Sequence, residues 1–263
     1  MINLKLNQFN SCLFHNNTIL KSLKMRKTVI INDDLKDLYN SFAIYLISII
    51  QNNKDSQYVN IAISGGATPI GLFKYLSLNY KDKINWSKIR IFWVDERCVP
   101  QDNDESNYYN ALKYLIIPLS LNPDNVFRIM GEDDPTLEAV RYSKLVEELV
   151  NVDNGYPEFN LVLLGIGNDG HTASIFPGCS DGDNNIYFAT INPYNNQPRI
   201  SMSMNVINNA KHVAFMMSGK EKREIFTSIY SSQSNEKIFP AQFVSPEKGG
   251  LIYFIDKSVT IYD

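Results

Sequence analysis

Asp169 and His171 are the residues whose types and spacing most directly suggest chemistry. They stand in a turn that follows four apolar residues, Leu161-Val162-Leu163-Leu164, and carries the three glycines Gly165, Gly167 and Gly170. A carboxylate two positions from an imidazole can orient the ring and stabilise its protonated form. An unperturbed imidazole, with a pKa of about 6.5, exchanges a proton with water near neutral pH. General-base catalysis is one reading of the pair. An ordinary turn, in which both side chains only satisfy backbone groups, would use the same residues, because short motifs recur by chance.

Cations stand at comparable positions elsewhere. The apolar run 89–94 ends in Asp95-Glu96-Arg97, and a guanidinium at a strand end offers a planar fork of donors to phosphate oxygens. An internal ion pair capping the strand is the alternative. Ser64-Gly65-Gly66-Ala67-Thr68-Pro69 joins a strand to a helix, so Gly65, Gly66 and Thr68 could present free N–H groups and a positive dipole end to a phosphate. Glycine used for conformation alone would look the same, and without a following Gly-Lys-Ser/Thr the turn is not a nucleotide P-loop. Arg199 begins a strand beside Pro198. Lys222 falls inside a first helical turn, where the dipole disfavours a cation, and reaching an anion would explain it; a solvated lysine is the other reading.

The elements that must position these residues follow from periodicity. Leu35, Leu38, Phe42, Leu46 and Ile49 recur at intervals of three and four behind Asp33 and Asp34, which predicts a capped amphipathic helix packed on a sheet. The segments 58–63, 89–94, 161–164, 213–217 and 251–256 are mostly apolar and read as buried strands, and the four consecutive apolar residues of 161–164 suit a parallel strand covered on both faces. Alternation over 197–204 marks a further strand, with another at 187–190. Residues 126–129 read as a short strand, and 136–150 as a helix with Leu137, Val140, Leu145 and Leu149 as its apolar positions.

The composition is that of an ordinary globular chain: 263 residues, 44% hydrophobic and 20% charged, with net charge −3. No basic stripe is present, which argues against nucleic acid or an anionic membrane as partner, and no apolar run reaches the roughly 18 to 20 residues of a spanning helix. Three scattered cysteines, Cys12, Cys98 and Cys179, frame neither a disulfide scaffold nor a zinc site and fit a reducing, cytoplasmic setting. The three histidines, His15, His171 and His212, are not spaced as metal ligands. No Gly-x-Ser-x-Gly occurs, which argues against a serine acyl-enzyme. Residues 1–28 contain lysine and arginine but no acid, and read as an N-terminal extension or edge strand ahead of one domain at 29–263.

Four segments together carry a family pattern. Ser64-Gly65-Gly66-Ala67-Thr68-Pro69, Trp93-Val94-Asp95-Glu96-Arg97, the run from Gly165 through Asp169, His171 and Pro177 to Gly178, and Gly219-Lys220-Glu221-Lys222 resemble, in order and approximate spacing, the glucosamine-6-phosphate isomerase/6-phosphogluconolactonase family on its lactonase side. The resemblance runs from about residue 29 to the end. It implies a single Rossmann-like open α/β sheet, mostly parallel and flanked by helices. It further implies hydrolysis of 6-phosphoglucono-1,5-lactone to 6-phosphogluconate in the oxidative pentose phosphate pathway, without metal or organic cofactor. In that reading His171 is the general base, Asp169 positions it, and the phosphate sits against Gly65, Gly66 and Thr68 among Arg97, Arg199 and Lys222.

Ala67 stands where the family usually has serine, and the polar stretch 179–185 departs from the pattern. Some parasite members are fused to glucose-6-phosphate dehydrogenase, so fusion to or association with that enzyme is a further implication. Two other readings share the fold. A glucosamine-6-phosphate deaminase would follow Asp-Glu with tyrosine and Gly-His with an Ile-Ala-Phe-Asn-Glu type run, where this chain has Arg97 and Thr172-Ala173-Ser174. A non-catalytic sugar-phosphate sensor would usually carry a DNA-binding helix-turn-helix, for which residues 1–28 are too short.

Overall fold

The apolar runs assemble into one parallel sheet. The computed structural model describes residues 27–54, 56–231 and 239–260, so the leader up to Arg26, with Cys12 and His15, lies outside the described residues. In chain order the elements are β1 (Lys27–Asn32), α1 (Leu35–Asn52), β2 (Val59–Ile63), α2 (Ala67–Asn79), β3 (Ile89–Trp93) and β4 (Asp95–Arg97). Next, α3 (Asn107–Ala111) continues through a π-helical stretch, Leu112–Ile116, into α4 (Ile117–Leu119). There follow α5 (Pro135–Leu149), β5 (Val152–Asp153), β6 (Tyr156–Pro157), β7 (Leu161–Leu164), β8 (Tyr187–Ile191), β9 (Pro198–Met202), α6 (Met204–Asn209), β10 (His212–Met217), α7 (Arg223–Ser231) and β11 (Gly250–Asp256).

The main sheet has six strands in the order β1-β11-β10-β7-β2-β3, all paired parallel. Every residue of β2 and β7 is buried, Asn60 included, as in parallel strands covered on both faces. The domain reading placed its start at residue 29; β1 begins at Lys27 and forms one edge of this sheet. Asp34 caps α1 by accepting from the Asp37 amide at 2.9 Å, and Leu38, Phe42, Leu46 and Ile49 turn inward. The Phe42 ring meets Phe254 of β11 edge-on at 5.6 Å, which fixes α1 against the sheet.

Two expectations fail locally. Residues 126–129 form no strand: Val126 alone bridges Ile91. Tyr142 Oη donates to the Phe127 carbonyl, and the Met130 amide donates to Glu138. Side chains of α5 thus take the backbone groups that a neighbouring strand would need. The inward face of α5 is rotated from the one its apolar periodicity suggested: Leu145 and Leu149 pack partly buried against the core, but the other two positions do not. Leu137 and Val140 are 72% and 52% exposed, whereas Glu138, Ala139, Tyr142 and Val146 are buried. Tyr142 receives the Trp93 amide at 3.1 Å, and Glu138 receives the Met130 amide at 2.8 Å, so polar anchors outside the helix help set its rotation.

A second, three-stranded antiparallel sheet, β4-β9-β8, branches off beyond the end of β3, and β5 and β6 form a small ribbon. In the main sheet β3 and β7 lie on opposite sides of β2, so the turns after β2 and β7 diverge. Such a topological switch point opens a crevice at the carboxyl ends of the strands, which is where open α/β sheets bind ligands.

Candidate active site

The crevice is a cavity of about 180 Å³. The turn after β2 contributes Ser64, Gly65 and Gly66; β4 contributes Asp95 and Arg97; the turn after β7 contributes Gly165, Gly167 and His171; and β9 contributes Arg199. With Asn107 at the start of α3, residues from five separate parts of the chain therefore converge where strand order reverses.

One wall is built on the Asp169–His171 pair. Asp169 Oδ1 lies 2.6 Å from His171 Nδ1 and also accepts from the His171 amide at 3.2 Å. The other carboxylate oxygen, Oδ2, accepts from the Tyr194 hydroxyl at 2.7 Å. Burial pushes the Asp169 carboxyl up, but hydrogen bonds from His171 and Tyr194 outweigh it and hold the group well below the usual carboxylate range. An ionised carboxylate only accepts, so Nδ1 must carry the proton of that bond, and in the neutral ring Nε2 keeps the free lone pair. The turn is closed by Gly167 N–H donating to the His171 carbonyl at 2.9 Å and by Thr172 Oγ1 donating to the Gly165 carbonyl at 2.9 Å. Glycine at 167 is a matter of space: a Cβ there would stand 2.1 Å from His171 Nδ1 and 2.5 Å from Asp169 Oδ1.

The opposite wall is cationic. Arg97 and Arg199 are register partners across β4 and β9, and Nε of each is buried without a hydrogen-bond partner. Arg97 Nη1 donates to the Glu105 carbonyl, not to a carboxylate. Burial lowers the pKa of Arg199, with Asp95 opposing and Arg97 adding to the shift. Gly66 caps α2 with φ at 103°, no side chain caps that helix start, and Gly65 and Gly66 line the cavity. Thr68 is half-buried within α2 and does not line it. Lys222 lies outside the cavity lining too: its Nζ donates to the Ile166 carbonyl at 2.8 Å and to Asn168 Oδ1 at 2.7 Å. It ties the glycine turn to the segment ahead of α7. Burial lowers its pKa, against Glu221 and Asp169.

Comparison with known proteins places this arrangement. Residues 33–253 match the family model described as glucosamine-6-phosphate isomerases/6-phosphogluconolactonase. The chain belongs to that family. It is 36% identical over 201 residues to the 6-phosphogluconolactonase of Treponema pallidum (strain Nichols), covering 73% of this chain and 80% of the relative. Among solved structures, a devB protein superposes with a TM-score of 0.84 at 32% identity, covering 89% of this chain and 98% of the other. The 6-phosphogluconolactonase from Trypanosoma cruzi superposes with a TM-score of 0.81 at 26% identity, covering 90% and 97%.

Within this family member, several contacts of the site residues carry no legible signal in the sequence. Asn107 donates through Nδ2 to the Asp95 carbonyl at 2.9 Å, and Ser174 Oγ donates to Asp95 Oδ2 at 2.7 Å. Glu96 turns away from the cavity and accepts the amides of Arg97, Asn107 and Tyr108 at 2.7–2.8 Å. Burial pushes its carboxyl up to about 7 against the pull of those bonds. The Asp-Glu pair thus splits into one residue that faces the cavity and one that anchors the start of α3. Tyr194 sits in the β8–β9 connection with no motif around it, and only its contact with Asp169 marks it. Among the described residues no group of three or more His, Cys, Asp or Glu side chains is placed to hold a metal, and no helix is long and apolar enough to cross a membrane.

Proposed function

We propose that this chain hydrolyses 6-phosphoglucono-1,5-lactone to 6-phosphogluconate, with water activated by His171 and the phosphate held by Arg97, Arg199 and the Gly65-Gly66 turn. The observation that carries the reading is the pairing, across one cavity, of a carboxylate-held imidazole with two arginines whose Nε atoms lack partners. The names of the relatives support the same substrate.

Water loses a proton to His171 Nε2 as its oxygen forms a bond to C1, leaving a tetrahedral oxyanion. Collapse breaks the bond from C1 to the ring oxygen, and the imidazolium returns the proton to that oxygen, freeing the open-chain acid. Asp169 stabilises the imidazolium between the two steps. The phosphate, with roughly −1.5 to −2 charges near neutrality, anchors the far end of the sugar and orients the carbonyl, so remote binding contributes to the rate. Arg97, which takes the place of the deaminases' tyrosine, favours the lactonase reading over the deaminase one. Buried Thr172 and Ser174, bonded to Gly165 and Asp95, favour it too.

The test is lactone disappearance above its spontaneous hydrolysis, followed with freshly generated substrate. The wild-type chain accelerates it. His171→Ala loses most of the catalysed rate with product affinity near wild type. Near-full turnover by that variant would remove His171 as the base, and no acceleration by the wild-type chain would leave a binding module.

A further inference from the structure

Tyr194 is 66% exposed, yet its hydroxyl is directed at Asp169 Oδ2 at 2.7 Å. We infer that Tyr194 is a positioning residue for the acid–base pair, holding one carboxylate oxygen of Asp169 so that the other stays on His171 Nδ1. The inference rests on the proposed role of His171 and adds a residue outside the glycine turn.

Three observations carry it. First, Asp169 is bonded at both oxygens, Oδ1 to the ring and amide of His171 and Oδ2 to Tyr194, so rotation about its terminal torsion disturbs both ends together; with Tyr194 absent only the His171 contacts at Oδ1 resist that rotation, and such torsions are soft. Second, Tyr194 is itself braced. Its ring meets Phe176 nearly edge-on at 6.3 Å, and Phe176 lies 4.9 Å from the His171 ring, so one aromatic side chain supports both ends of the chain of hydrogen bonds. The bond to Asp169 raises the phenol above its ordinary range, which keeps it a donor throughout the neutral region.

Third, the β8–β9 connection that carries Tyr194 touches both walls of the cavity. The Tyr194 amide donates to Asn192 Oδ1 at 2.9 Å, shaping the tip. Gln197 Nε2 donates to Glu105 Oε2 at 2.8 Å, and the Glu105 carbonyl receives Arg97. Arg199 follows on the next strand. One short connection thereby links the proposed phosphate grip to the carboxylate of the pair.

The experiment uses Tyr194→Phe, which keeps the ring on Phe176 and removes only the hydroxyl, beside Tyr194→Ala. Steady-state kinetics are read together with the downfield proton resonance of the His171 Nδ1–H···Asp169 hydrogen bond. Tyr194→Phe should lower kcat by roughly two- to tenfold, the span of one modest hydrogen bond, with KM unchanged. The Nδ1–H resonance should broaden through faster exchange with water. Wild-type kcat and an unaltered resonance in Tyr194→Phe would overturn the inference, as would a rise in KM alone, which would make Tyr194 a substrate contact. A loss confined to Tyr194→Ala would assign the effect to ring packing and also overturn it. If His171→Ala keeps full turnover, the catalytic reading fails, while the resonance still decides whether Tyr194 orders the Asp169–His171 bond.

Discussion

Arg97 and Arg199 stand side by side, register partners of an antiparallel pair, and neither forms an ion pair among the described residues. Like charges directly opposite on neighbouring strands repel, and Arg199 is 9% exposed, which also disfavours its charged form. A dianionic phosphate between them would offset both costs. Arg97→Ala should then weaken phosphorylated lactone by about ten- to a hundredfold, given roughly 1.5 to 3 kcal/mol per charge-assisted bond and about 1.4 kcal/mol per decade. Gluconolactone without phosphate should lose little. Equal losses on both substrates would assign Arg97 to structure through Glu105.

The same repulsion predicts a response to ligand. In thermal unfolding, 6-phosphogluconate should raise Tm of the wild-type protein, because a ligand bound only by the folded state stabilises it by mass action. Arg97→Ala should blunt that rise. A full rise in the variant would place the phosphate elsewhere.

Gly167→Ala puts a methyl group where His171 Nδ1 and Asp169 Oδ1 now meet. Since the neighbours are the pair proposed to activate water, the variant should fold but misplace the imidazole. A displacement near an ångström costs about a hundredfold in rate. Circular dichroism with near-wild-type intensity and kcat reduced to that extent is the expected pattern; unchanged kcat would show that the turn can widen without moving His171.

His212 predicts a pH dependence of stability remote from the site. Burial, with Lys211 adding, lowers its pKa, and its Nδ1 meets the Tyr45 hydroxyl at 2.9 Å. The folded protein therefore holds His212 neutral where the unfolded chain would protonate it, so stability is lost as pH falls below the unfolded value of about 6.5. Asp169, whose carboxyl is depressed, adds its own loss only below about pH 4, the ordinary aspartate range. In denaturant melts from pH 8 to 5 this loss is superposed on an opposing gain from Glu96, whose carboxyl is raised by burial to about 7, so the measure is the difference between wild type and His212→Gln, which should lack the loss due to the imidazole. A slope unchanged in that variant would locate the dependence elsewhere.

The donor arrangement predicts indifference to chelators. With no cluster of metal-ligating side chains among the described residues, turnover should survive exhaustive chelation. A chelated enzyme that recovers on adding zinc or magnesium would require a different water-activating group.

Much of this protein is legible along the chain because its information is local. The unbroken apolar run at 161–164 and the mostly apolar segment 59–63 identify strands buried on both faces, and the glycine turns behind them mark the places where a backbone must bend sharply and a ligand can approach. Asp169 and His171 lie two residues apart, so their contact follows from one turn. Contacts between distant segments have no such signature. Only the β4–β9 register brings Arg97 beside Arg199, and only the folded β8–β9 connection delivers Tyr194 to Asp169. Lys222 reads as a cation seeking an anion, but in the fold it meets a carbonyl and an amide of the glycine turn. The rotation of α5 escapes periodicity because Glu138 and Tyr142 accept the backbone amides of Met130 and Trp93, which holds their face inward while Leu137 and Val140 stay exposed. Apolar pattern decides which segments are buried; satisfaction of polar groups across the tertiary structure decides which side chains meet in the cavity.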